Sequence, residues 1–233
     1  MPDVPDPDAR ALALPDDLRL VIIEGVIGAG KTTLARMLAE RFGGQLVLEE
    51  FEENAFLERF YEDRARWAFQ TQLAFLASRF RQQKALLGRD LFHPLVVADY
   101  AFDKDRIFAH VNLDGDELQL YETLYTLMEP ATPRPDLVVY LQASTERLMA
   151  NIHQRGRAYE ATMDPGYIDQ LRQAYDHHFF RYAKSPLLIV KADHIDFVRN
   201  PDEFEALAHA VVTTRGGGTT HFTPAPSGAA SSS

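Results

Sequence analysis

The stretch Gly25-Val26-Ile27-Gly28-Ala29-Gly30-Lys31-Thr32-Thr33 carries the strongest chemical signal in the chain. Its glycines let backbone N–H groups close around phosphate oxygens where a Cβ would intrude. Lys31 then supplies an ammonium for β- and γ-phosphates, and Thr32 a hydroxyl for Mg²⁺. The run follows the apolar segment LRLVIIEG, which reads as a strand, and it opens a helical pattern whose N-terminus adds partial positive charge. Strand, glycine loop and helix in that order are the context a phosphate-binding loop requires.

Other residues fit around that loop. Asp99 closes the apolar run LVVAD, where a carboxylate at a strand end organises Mg²⁺ together with Thr32. Glu49 ends GQLVLEE; in a doubly wound sheet the C-terminal ends of strands face the ligand crevice, so Glu49 is placed to take a proton from an attacking hydroxyl. Glu50, Glu52 and Glu53 read better as a solvated acidic loop. Gln72 and Arg79 lie two turns apart on one helix face with Phe75 between them, an amide and a guanidinium suited to a base edge. Spacing alone favours the plainer reading of a surface pair flanking a core phenylalanine. Arg155-Gly156-Arg157 places two cations around a glycine between helices, either a lid closing over transferring phosphates or an exposed loop, and spacing leaves both open. The eight histidines show no metal-ligand spacing, and neither a Ser/His/Asp arrangement nor an Asn-Lys-x-Asp guanine motif occurs.

Positioning these groups requires an α/β domain. Strands are expected at 18–25, 44–50, 94–100, 136–143 and 186–192, with helices from Lys31, over about 63–87, over 145–154 capped by Ser144, over 165–182, and from Pro201 capped by Asn200. Strands alternating with helices predict a five-stranded parallel sheet covered on both faces, an α/β architecture around the phosphate-binding loop. Residues 1–16 and 215–233 read as flexible tails around one domain at 17–214, because Pro/Asp-rich and Gly/Ser/Thr-rich segments bury too little to offset ordering entropy.

Composition bounds the rest. Of 233 residues, 46% are hydrophobic and 25% charged, enough for a packed core; 34 acids against 24 bases give a net charge of −10, which argues against a nucleic-acid or anionic-membrane partner. No cysteine is present, excluding disulfides and thiolate metal sites. No apolar run reaches membrane-spanning length and the first residues lack a signal-peptide pattern, so a cytoplasmic location is the expectation.

Several segments in order resemble the deoxynucleoside kinases, and among them the bacterial deoxyguanosine/deoxyadenosine kinase branch. They are IEGVIGAGKTTLA, LEEFEENAFLERFYEDRARWAFQTQLAFLASRF, VVADYAFDKDRIFA, PDLVVYLQAS and RGRAYE, spanning about Leu20 to Ala210. The glycine loop is shared by many families; the E-x-x-E-x-N-x-F-L and ADY…K…IFA stretches are far more specific. The resemblance implies that Glu49 is the general base on the nucleoside 5′-hydroxyl. It implies that Tyr61 and Glu160 hold the sugar 3′-hydroxyl, that Gln72 reads the base with Arg79 beyond it, and that Phe108 stacks on the base. Arg155 and Arg157 become lid arginines, and a homodimer through helices is implied. Three positions depart from the family pattern. Asp99-Tyr100-Ala101 stands where many members have Asp/Glu-Arg-Ser, Asn151 occupies an upstream lid-arginine position, and Ala55 replaces a proline. Lys104 is the cation that falls nearest to the missing arginine. The function expected is ATP- and Mg²⁺-dependent phosphorylation of a purine deoxynucleoside, deoxyguanosine favoured. The alternatives are a nucleoside monophosphate kinase and a non-catalytic ATP-binding switch.

Overall fold

The computed structural model describes residues 12–86, 94–161 and 163–223. Of the expected tails, 1–11 and 224–233 lie outside the described residues, as does the last residue of the helix expected over 63–87. The strands are β1 (Leu20–Gly25), β2 (Gln45–Val47), β3 (Val96–Ala98), β4 (Leu137–Gln142), β5 (Leu187–Lys191) and β6 (Thr219–Phe222). The helices are α1 (Lys31–Phe42), α2 (Leu57–Glu62), α3 (Arg64–Leu86), α4 (Asp103–Asn112), α5 (Gly115–Met128), α6 (Thr145–Arg155), α7 (Pro165–Phe180) and α8 (Pro201–Thr213).

All strands are parallel, in the order β2-β3-β1-β4-β5-β6. The central strands are apolar runs because both faces are covered; β1 is buried at every position and β4 at all but Gln142. Register is set by pairs such as Val21 opposite Leu137 and Val138 opposite Leu187. α1 packs on β1 and β3, while α3, α5 and α7 each pack against α4.

The capping signals act as chemistry dictates. The Ser144 hydroxyl accepts the Arg147 N–H at 3.2 Å, and the Asn200 side chain accepts the Asp202 N–H at 3.2 Å ahead of Pro201.

Among the described residues the sheet has six strands, which corrects the expected five. The sixth, Thr219–Phe222, comes from the glycine- and threonine-rich stretch read as a tail. Its side chains are mostly exposed, so it shows no hydrophobic pattern; its backbone ladder to Leu187–Val190 is what orders it, beginning where the Leu187 N–H meets the Gly218 carbonyl at 3.0 Å. β2 is also shorter than 44–50. It stops at Val47, and the Glu49 N–H turns to the Asp99 carboxylate at 2.8 Å instead of a strand partner.

Candidate active site

The loop after β1 has the backbone its glycines predict. Gly28 and Gly30 take φ of 87° and 94°, and a Cβ on Gly28 would lie 2.6 Å from the Leu148 carbonyl oxygen. Only glycine permits both the left-handed backbone and that approach. Ala29 is buried beneath the loop, and Thr32 and Thr33 open α1 at the surface. The Lys31 ammonium donates to the Val26 carbonyl at 3.0 Å, inside the curve of the loop. Desolvation, then repulsion by Lys104, brings the Lys31 pKa down to about 8 against the pull of Glu24, Asp99 and Glu49.

Asp99 joins three elements. Its Oδ2 accepts the Thr32 hydroxyl at 2.6 Å and its Oδ1 the Glu49 N–H at 2.8 Å, so the starts of α1, the end of β3 and the segment after β2 meet at one carboxylate. Hydroxyl and carboxylate oxygens are the hard donors that suit Mg²⁺. No cluster of three or more His, Cys, Asp or Glu able to hold an ion by itself occurs among the described residues.

Glu49 faces this centre with its side chain only 10% exposed. Arg79 from α3 grips one oxygen, Nε at 2.8 Å and a terminal nitrogen at 2.6 Å, and the Lys104 ammonium from α4 grips the other. Burial alone would raise the Glu49 pKa, but Arg79 and Lys104 together hold it well below the usual carboxylate range. Arg79 also pairs with Asp105, whose second oxygen takes the Tyr121 hydroxyl at 2.7 Å. Burial pushes Asp105 up to about 6 against those two partners. Arg79 therefore lies between two carboxylates. Tyr100, where the family arginine would stand, is fully buried, and its hydroxyl has no hydrogen-bond partner among the described residues.

The residues expected to meet a nucleoside come from α2, α3 and α4. Gln72 is 2% exposed and its Oε1 lacks a partner among the described residues. Phe108, half-buried on α4, meets Tyr175 edge-on at 6.2 Å and lies 5.8 Å from the Lys104 ammonium. Tyr61 is half-buried on α2 and stacks on Tyr159 at 5.6 Å; desolvation, then the neighbouring Tyr167 and Glu160, push its phenol up.

The segment after α6 closes the arrangement. Glu160 is buried and forked by Arg155, with contacts at 2.7 and 3.2 Å, while Arg157 stands 3.7 Å from the same carboxylate and 4.3 Å over the Phe51 ring. Asn151, at the departed arginine position, donates its amide to the Gly28 carbonyl at 2.8 Å and so ties α6 to the glycine loop.

Thus Lys31, Thr32, Asp99, Glu49, Arg79 and Lys104 form one connected centre. Tyr61, Arg155, Arg157 and Glu160 form a second group around the Glu160 carboxylate. Two residues that buttress this centre escaped sequence reading. Glu24 is the lone charge in an otherwise apolar β1, a signal that was there to be seen. Asp105 hides within the charged run Asp-Lys-Asp-Arg, which looks like any solvated helix face.

Comparison with known proteins agrees with this geometry. The profile described as "Deoxynucleoside kinase" matches residues 21–214. The deoxyguanosine kinase of Bacillus subtilis (strain 168) is 35% identical over 193 residues, covering 81% of this chain and 93% of that protein. The deoxyadenosine/deoxycytidine kinase of the same organism is 29% identical, covering 83% and 92%. Among solved structures, deoxyadenosine kinase from M. mycoides with bound dATP superposes with a TM-score of 0.72 at 26% identity, covering 83% of this chain and 98% of that one. A glycine loop, an ionised buried carboxylate across from it and a profile match over most of the chain converge on one conclusion: the protein belongs to the deoxynucleoside kinase family.

Proposed function

We propose that the protein transfers the γ-phosphoryl group of ATP to the 5′-hydroxyl of a purine deoxynucleoside, with deoxyguanosine preferred. The observation that carries this reading is the Glu49 carboxylate, buried, ionised, and joined through its own N–H and Asp99 to the phosphate loop. Glu49 accepts the hydroxyl proton and orients the oxygen in line with the γ-phosphorus. Its lowered pKa makes it a weak base, which suits phosphoryl transfer: the transition state is loose and positioning outweighs proton removal. Lys31 and the loop N–H groups hold the phosphoryl oxygens, and Arg155 and Arg157 close over them. Mg²⁺ fits Thr32 and Asp99, and when bound it offsets charge on the phosphates.

Gln72 supports a nucleobase acceptor, because its unpartnered Oε1 and its amide nitrogen match a donor–acceptor pair on a base edge. The lean to guanine rests on the 35% identity to a deoxyguanosine kinase. A monophosphate acceptor is disfavoured because Arg79 and Arg155, the cations that would greet its phosphate, are engaged by Glu49, Asp105 and Glu160. Exposed Leu120 and Leu127, one heptad apart on α5, support a homodimer through helices, which light scattering of the purified protein checks. No helix among the described residues is long and apolar enough to cross a membrane.

A steady-state panel of the four deoxynucleosides with ATP and Mg²⁺ tests the function. Fastest turnover on deoxyguanosine supports it. A pyrimidine preference overturns the base assignment, and ADP release independent of any deoxynucleoside overturns the kinase reading.

A further inference from the structure

Glu24 lies at the heart of the site, yet the chemistry above does not use it. It is 1% exposed, the only charge in β1, and both of its oxygens are occupied. Oε2 accepts the N–H of Gly25, the first loop glycine, at 3.1 Å. Oε1 accepts the N–H of Ala101, between β3 and α4, at 2.5 Å. The Ala101 carbonyl in turn accepts the Lys104 N–H at 3.3 Å, so Glu24 grips the turn that carries Lys104. The charges it faces are the ammonium groups of Lys104 and, second, Lys31. Those two cations repel each other across the site. A buried carboxylate is costly to desolvate, and two backbone N–H groups alone do not require a full negative charge. Burial raises the Glu24 pKa, and Lys104, Lys31 and the two N–H groups act against that rise and favour the carboxylate.

We propose that Glu24 is a positioning residue for phosphoryl transfer: its carboxylate holds Lys104 in place against Glu49 and ties that turn to the phosphate loop. This deepens the kinase reading and rests on it. With the charge removed, Lys31 and Lys104 push apart; the first then shifts from the phosphates and the second from Glu49. The loss falls on the chemical step, because Lys104 acts through Glu49 and Lys31 through the phosphate loop.

The test uses the full chain as wild type, E24Q, E24D, K104M and the double variant E24Q/K104M, each with a thermal melt. With ATP, Mg²⁺ and deoxyguanosine, E24Q is expected to lower kcat by about 10- to 100-fold, the range set by one charge-assisted hydrogen bond, with KM for deoxyguanosine nearly unchanged. E24D, which restores the charge, recovers most of that loss. On the K104M background, E24Q costs less than about threefold, because two residues acting through one contact are not additive. Full additivity of E24Q and K104M overturns the proposal, as does an E24D that melts like wild type but is as impaired as E24Q. Should E24Q fail to fold, the melt of E24Q/K104M decides: a folded chain once the Lys104 charge is also removed supports the proposal, and a double variant that fails to fold as E24Q does overturns it. A wild type lacking deoxynucleoside-dependent ADP release removes the kinase reading and this inference with it; an active wild type with additive variants removes this inference alone.

Discussion

Arg79 and Arg81 sit two residues apart on α3, carry the same charge, and each pairs with a glutamate, yet their replacement should differ severalfold in cost. Arg79 is 3% exposed and lies between Glu49 and Asp105, themselves 10% and 0% exposed. Arg81 and Glu53 meet at 3.1 Å with 68% and 59% of their side chains in water. Arg79→Met keeps the stem and removes the fork, leaving Asp105 with the Tyr121 hydroxyl and Glu49 with Lys104. Breaking a buried ion pair by removing one partner costs about 3–5 kcal/mol. At about 2–4 °C per kcal/mol for a chain of this size, the melting temperature falls by roughly 6–20 °C. Arg81→Met costs under about 1 kcal/mol, because solvent already screens that pair. The sign with pH follows. In the wild type the depressed Glu49 pKa contributes stability that persists until pH falls below the usual carboxylate range. In Arg79→Met the Asp105 pKa, already raised by burial, rises further, so that variant loses stability as pH increases and regains it on acidification. The gap between wild type and Arg79→Met should therefore be wider at pH 8 than at pH 5. Differential scanning fluorimetry at both values measures it; equal small shifts for the two arginine variants, or a gap that widens toward acid, would refute the reasoning.

Glu49→Gln should lower kcat with deoxyguanosine by about 10²–10⁴-fold while the ATP KM stays near wild type, as read in a coupled ADP assay. Gln72→Leu should reduce kcat/KM for purine deoxynucleosides by about tenfold or more, yet melt no lower than wild type, since it deletes a buried oxygen that has no partner among the described residues. Gly28→Ala should cost about 1–3 kcal/mol and weaken ATP binding in a titration, because its Cβ would meet the Leu148 carbonyl at 2.6 Å. Gly43→Ala, at φ 62° with no atom within 4 Å of the added carbon, should cost only the left-handed backbone penalty of about 1–2 kcal/mol and leave ATP binding intact.

What could be read from the sequence was what local chemistry encodes. The glycine loop, the serine and asparagine caps and the apolar central strands each declare themselves within about ten residues, and the structure places them where expected. Features set by distant partners were hidden. Glu24 meets the Ala101 N–H 77 residues away, and Arg79 meets Asp105 26 residues on, so neither contact leaves a periodic trace. The end of β2 was misjudged for the same reason: a side chain 50 residues downstream, Asp99, takes the Glu49 N–H from the ladder. Arg79 read as a surface group by spacing because nothing nearby in the chain announces the two acids that bury it.

The sixth strand also bears on how the molecule tolerates being shortened. Leu187–Val190 is buried and aliphatic, the kind of segment that templates intermolecular sheet growth when its N–H and C=O groups are left open. Thr219–Phe222 caps that row with a brief polar ribbon whose outer rim is far less adhesive. A recombinant version trimmed at the end of α8 would keep every residue of the reaction centre and lose its guard, and should precipitate while still competent in its soluble fraction.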